Sequence, residues 1–188
     1  MISKYLISTN AQKVLHFLLM RPGKICYERE IARGAKISYG SANKVLNQLY
    51  KKGLIQRKKE GRMCYYAIDT STPDIKEFKI LCNLLVIEPL IDKLKPYSHK
   101  IVLYGSWGRG ADTEASDIDL FIIASDKEKV RLIVNKFSSS AKIAGRKIQA
   151  VITTAADLLE QDERERVFNE EVNRGKILWE REINEDNL

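Results

Sequence analysis

The chain has 188 residues, of which 30% are charged and 44% hydrophobic, and its formal net charge is +7. Its apolar runs are far shorter than the ~20 residues that cross a bilayer, so the sequence predicts no membrane span. The three cysteines are widely separated and form no CxxC pair, which argues against a zinc site or a disulfide framework. The first residues lack the features of a signal peptide, and we expect a cytoplasmic protein.

Charge is distributed unevenly along the chain. Residues 1–70 contain 14 Lys and Arg against 4 Asp and Glu, a net charge of +10, and the remaining residues have a net charge of −3. Such a basic segment is suited to a polyanionic partner. We expect a basic domain over residues 1–70, a linker helix over 71–87 and a second domain over 88–188.

The basic segment has the pattern of three helices and a hairpin. Each helix has apolar residues at helical spacing, a polar capping residue before it and a glycine or proline after it. Two runs of strand-forming residues then flank the turn KEGR, in which Gly61 can take a positive φ. The first predicted helix is capped by Thr9 or Asn10 and ends before Pro22. The second runs from Glu28 to Arg33, and the third from about Tyr39 to Lys52.

This order of elements resembles the winged helix-turn-helix of prokaryotic transcription regulators over about 60 residues, and residues 28–68 are typical of that family. The resemblance implies that the third helix enters a DNA major groove and that the hairpin, or wing, lies along phosphates. An alternative is a protein-contact module whose Lys and Arg residues are merely solvated. The predicted DNA-binding residues are Ser38, Tyr39, Ser41, Asn43 and Lys44 on the helix and Arg57, Lys58, Lys59 and Arg62 on the wing.

The connector predicts a helix that begins at Pro73, since the first helical turn tolerates proline. Pro89 predicts a break before a second helix from Leu90 to Leu94. The first connector helix has a broad apolar face, which favours either a linker or the seam of a homodimer.

Two strand candidates follow, KIVLY and DIDLFII, separated by the glycine-rich turn GSWGRG. In the second strand Asp117 and Asp119 fall on one face and Ile118, Leu120 and Ile122 on the other. A rival interpretation makes Ser116 the cap of a helix, but LFII is too short and too β-branched to favour it.

Two carboxylates side by side repel each other, and a divalent cation such as Mg²⁺ relieves that repulsion. In the turn, Gly105 permits a sharp bend, Ser106 offers a hydroxyl and an N–H, and the two later glycines predict close approach of a phosphate to the backbone. Ala111 and Asp112 stand where a P-loop requires Lys and Ser or Thr, so the turn is not a P-loop. Those two later glycines are Gly108 and Gly110.

Gly105-Ser106, then ten residues, then Asp117-Ile118-Asp119, resembles the minimal nucleotidyltransferases of the DNA polymerase β superfamily. The resemblance covers roughly residues 88–182 and implies a small mixed sheet flanked by helices. It implies that Gly105 and Ser106 hold a nucleoside triphosphate (NTP), that Asp117 and Asp119 bind Mg²⁺ or Mn²⁺, and that NMP is transferred to an acceptor hydroxyl. Arg109 either adds charge to the phosphate site or is an ordinary surface arginine.

The same family normally carries a third carboxylate on a later strand. The corresponding strand here is Arg146 to Ile152, and the matching position holds Gln149, which can orient a hydroxyl but cannot accept its proton. Asp126 and Asp157 lie outside that strand. Beyond Thr154 we expect a helix, with residues 160–171 as its solvated face and Gly175 as its end, and then either a short final strand or a packed end in KILWERE.

The sequence thus predicts an α+β fold in which a winged-helix domain precedes a polymerase-β-like nucleotidyltransferase domain. The leading hypothesis is a DNA-binding regulator fused to a nucleotidyltransferase that modifies a protein or small-molecule hydroxyl. The alternative is a catalytically impaired domain that binds NTP and Mg²⁺ as an effector of DNA binding. A third hypothesis is a protein-interaction module without a role on DNA.

Overall fold

The computed structural model describes residues 2–139, 143, 146–159 and 166–181. Residues 160–165 and 182–188, which include part of the predicted helix face and the end of the second domain, lie outside the described residues. The chain divides into two compact units, one of residues 1–85 with 110–114 and the other of residues 86–109 with 115–188. No helix of the described residues is long and apolar enough to span a membrane.

The first unit contains the predicted helices and hairpin, which confirms that part of the fold. Thr9 accepts a hydrogen bond from the N–H of Gln12, whose side chain accepts one from the N–H of Thr9, so a capping box begins the second helix. The elements are α1 (Ser3–Leu6), α2 (Asn10–Leu19), β1 (Cys26–Tyr27), α3 (Glu28–Gly34), α4 (Tyr39–Lys51), β2 (Ile55–Glu60) and β3 (Met63–Ile68).

The hairpin of β2 and β3 belongs to a three-stranded antiparallel sheet in the order β1-β3-β2. Gly61 turns the hairpin with φ +60°, as its position in KEGR predicts. The two-residue strand β1 pairs Cys26 with Tyr66 and Tyr27 with Tyr65. It was not predicted, because two residues are too few to show a strand period.

The predicted break at Pro89 is wrong, since α5 runs without interruption over Pro73–Leu94. Proline in a helix interior costs roughly 3 kcal/mol through a lost hydrogen bond and a steric clash. Ile87, Leu90 and Leu94 are fully buried around it, and burying each such side chain contributes about 1.5–3 kcal/mol. Tertiary packing therefore outweighs the local helix-breaking tendency.

A buried polar cluster fixes the loop of residues 110–114 to α5 within the first unit. The Nζ atom of Lys79 lies 3.1 Å from Oδ1 of Asp112 and donates to the Asp112 carbonyl oxygen at 2.5 Å. The Asn83 amide donates to the same Oδ1 at 2.8 Å. Both charged side chains are almost completely buried, so each depends on the other for compensation.

The second unit is built on a four-stranded sheet in the order β6-β5-β4-β7. The pair β5/β6 is parallel and the other two pairs are antiparallel, which confirms the predicted mixed sheet. Its elements are β4 (Ser98–Tyr104), α6 (Gly105–Arg109), β5 (Ile118–Ala124), α7 (Lys127–Ser138), β6 (Ile148–Thr153), α8 (Ala155–Leu159), α9 (Arg166–Asn173) and β7 (Lys176–Glu180).

The two faces of this sheet differ in character. On one face Ile118, Leu120 and Ile122 of β5 are fully buried, opposite Leu103 and Ile101 of β4. The other face carries Asp119 at its end and a small apolar cluster further along. The predicted alternation of DIDLFII is therefore confirmed as a strand with one apolar face. The cluster consists of Val102, Phe121 and Val172, with Tyr104, Ile123 and Leu158 packed against it.

Replacing Lys79 by Met should lower the free energy of unfolding by about 3–5 kcal/mol, because the Asp112 carboxylate stays buried without its cation. Urea unfolding followed by circular dichroism measures the change. Glu77→Gln, an exposed change on the same helix, should shift stability by less than about 0.5 kcal/mol. A double change of Lys79→Met with Asp112→Leu should recover most of the loss. Equal stability of Lys79→Met and wild type would show that the pair is not compensating a buried charge.

Candidate functional site

The register of β4 and β5 brings the glycine turn to the aspartates. Tyr104, the last residue of β4, pairs with Asp119, so Gly105 follows immediately beside that aspartate. Gly105 has φ +67°, and a Cβ atom placed on it would overlap Oδ2 of Asp119. Only glycine leaves room for the carboxylate at this point. The segment predicted as a turn is thus a sharp bend at Gly105 followed by the short helix α6, and its start lies beside Asp119 although more than ten residues separate the two in sequence.

Negative charge accumulates around Asp119. Partial burial raises the pKa of Asp119 above its usual range, and the charges of Asp117 and Glu171 raise it further, while Arg109 acts in the opposite direction. Burial and the charge of Asp119 likewise raise the pKa of Tyr104, whose phenol stays neutral. The site thus disfavours its own carboxylate charge and would be stabilised by a cation.

Gln149 lies beside the aspartates, at the position predicted from the sequence. It is the register partner of Asp119 across the parallel pair β5/β6, and its Nε2 donates to Oδ2 of Asp117 at 2.7 Å. A carboxylate at this position would repel Asp117, whereas the amide donates a hydrogen bond to it. The amide of Gln149 is therefore engaged in holding Asp117.

Arg109, at the end of α6, forms an ion pair that sequence reasoning missed. Its Nη1 lies 3.1 Å from Oε1 of Glu171 on α9, and the two side chains are 56% and 44% exposed. Glu171 falls in the charged run that the sequence pattern assigns to a solvated helix face, and its side chain is 44% exposed although it also contacts Arg109. The run of charged residues did not indicate this ion pair, because the pair joins residues 62 positions apart in sequence.

The two later glycines of the segment also permit close packing of the backbone. A Cβ on Gly108 would lie 2.9 Å from the Leu103 carbonyl oxygen, and one on Gly110 would lie 3.0 Å from the Lys76 carbonyl oxygen. Both glycines are buried, as is Gly105, whereas Ser106 is half-buried. Contact of these residues with a phosphate stays a prediction.

Asp126 and Asp157 are engaged elsewhere, as their positions outside β6 suggested. The Asp126 side chain accepts from the N–H of Lys129 and caps α7. Asp157 accepts from Lys127 at 2.5 Å, and its pKa is lowered to about 2 by hydrogen bonds from Lys127 and Thr154. Neither is offered to the aspartate site.

The predicted recognition residues on α4 fall into two groups. Ser38 is the cap of α4, and its Oγ accepts from the N–H of Ser41 at 3.2 Å. Asn43 donates to the buried Glu28 carboxylate at 2.7 Å. The side chains of Ser38, Ser41 and Asn43 thus already make contacts within the fold. Tyr39 and Lys44 are exposed and available to a ligand.

The predicted wing residues all lie on β2 or the following turn and are exposed. Arg57 donates to Asn47 of α4 at 3.0 Å and lies over the Tyr50 ring at 4.3 Å. Lys58 pairs with Glu60 at 2.8 Å. Lys59 and Arg62 complete a basic strip along the hairpin.

Across the described residues, no group of three or more His, Cys, Asp and Glu side chains is arranged to hold a metal ion. Asp117 and Asp119 nevertheless offer the hard oxygen atoms that Mg²⁺ prefers, and Mg²⁺ is commonly held by one or two carboxylates with water and phosphate oxygens completing its shell. The protein part of such a site would be these two residues.

Comparison with known proteins gives two family matches. Residues 88–184 match the model described as polymerase beta, nucleotidyltransferase. Residues 8–71 match the model described as sugar-specific transcriptional regulator TrmB. Both matches agree with the resemblances drawn from the sequence, which are thereby confirmed.

Among solved structures, the chain is similar to reduced HlyU from Vibrio cholerae, with 21% identity and a TM-score of 0.33 over 44% of this chain and 88% of HlyU. It is also similar to MepR, a transcription regulator of the Staphylococcus aureus multidrug efflux pump MepA, with 18% identity and a TM-score of 0.37 over 50% of this chain and 70% of MepR. No match was found among curated proteins.

The nucleotidyltransferase match includes β4, α6, β5 and β6, the elements that carry the aspartates and the glycine turn. The regulator match includes α4 and the wing. Because the first match covers more than half of the chain, the protein belongs to the polymerase beta nucleotidyltransferase family, with a domain of the DNA-binding regulator type preceding its nucleotidyltransferase-fold domain.

Proposed function

We propose that this protein binds DNA through α4 and the wing and that its second unit transfers NMP from an NTP to a hydroxyl of a protein or small-molecule acceptor. The observation that carries the transferase proposal is the contact between Gly105 and Asp119. It joins a backbone turn able to receive a phosphate to a pair of carboxylates able to hold a cation.

In this proposal Gly105 and Ser106 bind the triphosphate, and Arg109 adds positive charge beside it. Asp117 and Asp119 would hold Mg²⁺ or Mn²⁺. The site fits such an ion, since its carboxylates are hard oxygen ligands whose mutual repulsion a cation relieves. When bound, the ion supplies charge neutralisation for the phosphate oxygens.

The reaction that follows is an in-line displacement. The acceptor oxygen forms a bond to the α-phosphorus, the bond from that phosphorus to the bridging oxygen breaks, and pyrophosphate leaves with the electron pair. The acceptor hydroxyl loses its proton in the process. The chain's part is to orient the triphosphate against Asp119 and to keep the leaving group near Arg109.

A second function is favoured by one specific observation. Gln149 donates to Asp117, and the sequence resemblance implies that relatives carry a carboxylate at this position. If no other group accepts the acceptor's proton, the second unit would bind NTP without transferring it and would act as an effector-binding domain that controls DNA binding.

Transfer is tested by incubating the protein with each α-labelled NTP, Mg²⁺ or Mn²⁺ and cell lysate. Wild type should transfer label to an acceptor, and Asp119→Asn should lower transfer by at least about 100-fold, since one metal-binding charge is lost. Asp126→Asn, which alters only the cap of α7, serves as the control and should transfer normally. Nucleotide binding without transfer by wild type would leave the effector function standing and exclude the transferase.

DNA binding is tested with a duplex of mixed sequence over a range of salt concentrations. Changing Lys59 or Arg62 to Ala should weaken binding and lower the slope of log affinity against log salt by about 1 each, because each variant releases about one fewer counterion. Lys136→Ala, an exposed lysine of α7 in the other unit, is the matched control. Equal salt slopes in all variants would argue against phosphate contacts by the wing.

The glycine turn is tested by comparing Gly105→Ala with Gly61→Ala. Both glycines have a positive φ, but only Gly105 has the Asp119 carboxylate in the way. Gly61→Ala should cost about 1–2 kcal/mol of stability through backbone strain alone and leave NTP affinity unchanged. Gly105→Ala should lower NTP affinity at least tenfold, measured by equilibrium binding. Equal NTP affinity in the two variants would separate Gly105 from the phosphate site.

A further inference from the structure

The helix α9 lies over the same sheet face as Asp119. Val172 packs with Val102 and Phe121, and Phe121 is two residues beyond Asp119 on that strand face. Where the helix ends, a Cβ on Gly175 would lie 2.9 Å from the Leu103 carbonyl oxygen, so the chain is tightly fitted to β4 there. The residue before Val172 is Glu171, which this packing holds beside the candidate site.

The ion pair with Arg109 brings the charge of Glu171 near the candidate site. Nη1 of Arg109, the last residue of α6, lies 3.1 Å from Oε1 of Glu171. In keeping with this position, the negative charge of Glu171 raises the pKa of both Asp119 and Tyr104, after the larger effects of burial and of a neighbouring aspartate. Glu171 thus approaches the site from α9, outside the sheet.

The family resemblance implies a carboxylate on β6 where this chain has Gln149, and the Gln149 amide is already hydrogen-bonded. Gln149 donates to Asp117 and has no proton-accepting function there. A transferase of this kind still requires a group that removes the acceptor's proton as its oxygen attacks. In the described part of the chain, Asp126 and Asp157 are committed to α7 and to Lys127.

We infer that Glu171 supplies from α9 the carboxylate that accepts the proton of the acceptor hydroxyl, in place of an acidic residue on β6. The inference rests on the proposed transferase function. As the acceptor's O–H bond breaks, its proton passes to Glu171, its oxygen bonds to the α-phosphorus, and pyrophosphate leaves. Glu171 returns the proton to water after the product departs.

The ion pair with Arg109 controls when the Glu171 carboxylate can accept the acceptor's proton. Both side chains are about half exposed, so they can separate without leaving a buried charge. A triphosphate carries several negative charges and competes for Arg109 more strongly than one carboxylate does. Nucleotide binding would then release Glu171 toward the acceptor, and the unloaded site would keep it paired.

The chain provides a matched control one residue away. Glu170 lies on the same helix, is exposed, and approaches Arg174 at 3.9 Å, whereas Glu171 approaches Arg109. Glu170→Gln and Glu171→Gln therefore remove the same charge from neighbouring positions of α9. A difference between them reports position and not the net charge of the helix.

The test measures two quantities for each full-length variant. Transfer is followed with the α-labelled NTP and acceptor of the wild-type reaction, and binding is measured with α,β-methylene NTP analogues, which cannot be cleaved. Glu171→Gln should lower kcat by at least about 100-fold. It should bind the analogue as tightly as wild type or more tightly, because Arg109 is released from a competing carboxylate. Glu170→Gln should match wild type in both.

A further variant restores a carboxylate at the other position. Gln149→Glu, introduced together with Glu171→Gln, should regain at least about tenfold of the lost transfer, since a proton acceptor is again beside Asp117 and Asp119. If this double variant binds the analogue yet regains nothing, the loss in Glu171→Gln has another cause than a missing carboxylate, and the inference is overturned.

Two other outcomes would also overturn it. Transfer by Glu171→Gln at the wild-type rate shows that another group accepts the proton, and the transferase proposal survives. Analogue binding by Glu171→Gln that falls as far as in Arg109→Gln shows that Glu171 only positions Arg109. Absence of transfer by wild type itself is a different result, which removes the transferase proposal and this inference together.

Discussion

The candidate site depends on the register between β4 and β5. Asp119 faces Gly105 only because Tyr104 pairs with Asp119, and a slip of one residue would turn the aspartates to the opposite face of the sheet. The register is held by Ile118, Leu120 and Ile122, each fully buried and each contributing roughly 1.5–3 kcal/mol. Together they outweigh the mutual repulsion of the two carboxylates, since Asp119 is only partly buried and solvent screens its charge.

The same register concentrates charge that the protein compensates only in part. Asp117 receives a hydrogen bond from Gln149, and Arg109 lowers the pKa that burial and neighbouring carboxylates raise at Asp119. Arg109 is at the same time bound to Glu171. The single guanidinium of Arg109 thus interacts with both Glu171 and Asp119. An added cation would find carboxylate charge that is not neutralised, and an added phosphate would compete for the guanidinium. Partial compensation is what a binding site for a metal-bound anion requires.

Local patterns predicted most of the fold. The capping residue Ser38, the turn at Gly61 and the alternation of DIDLFII are properties of a few adjacent residues, and the structure has them as predicted. The break predicted at Pro89 was wrong because the cost of a proline in a helix is local, whereas the burial that offsets this cost comes from packing against distant residues.

Long-range contacts account for what the sequence did not show. Gly108 and Gly110 are required by backbone atoms of β4 and α5, which no spacing in the turn reveals. The contact of Glu171 with Arg109 could not be predicted from its run of charged residues. The residues of that run look alike in sequence, and they differ in surroundings only because one side of the helix packs on the sheet. Neighbouring Glu170 and Glu171 have the same local signal and different partners, and only the packing of Val172 distinguishes them.

Charge is distributed differently in the two parts of the chain. The first 70 residues have a net charge of +10, and the remainder is net negative with carboxylates at its candidate site. Under the proposed function, DNA would meet basic residues directly, whereas a triphosphate would be repelled by the carboxylates unless a divalent cation accompanied it. The two proposed ligands would therefore respond to different ions, DNA to monovalent salt and the nucleotide to the divalent cation.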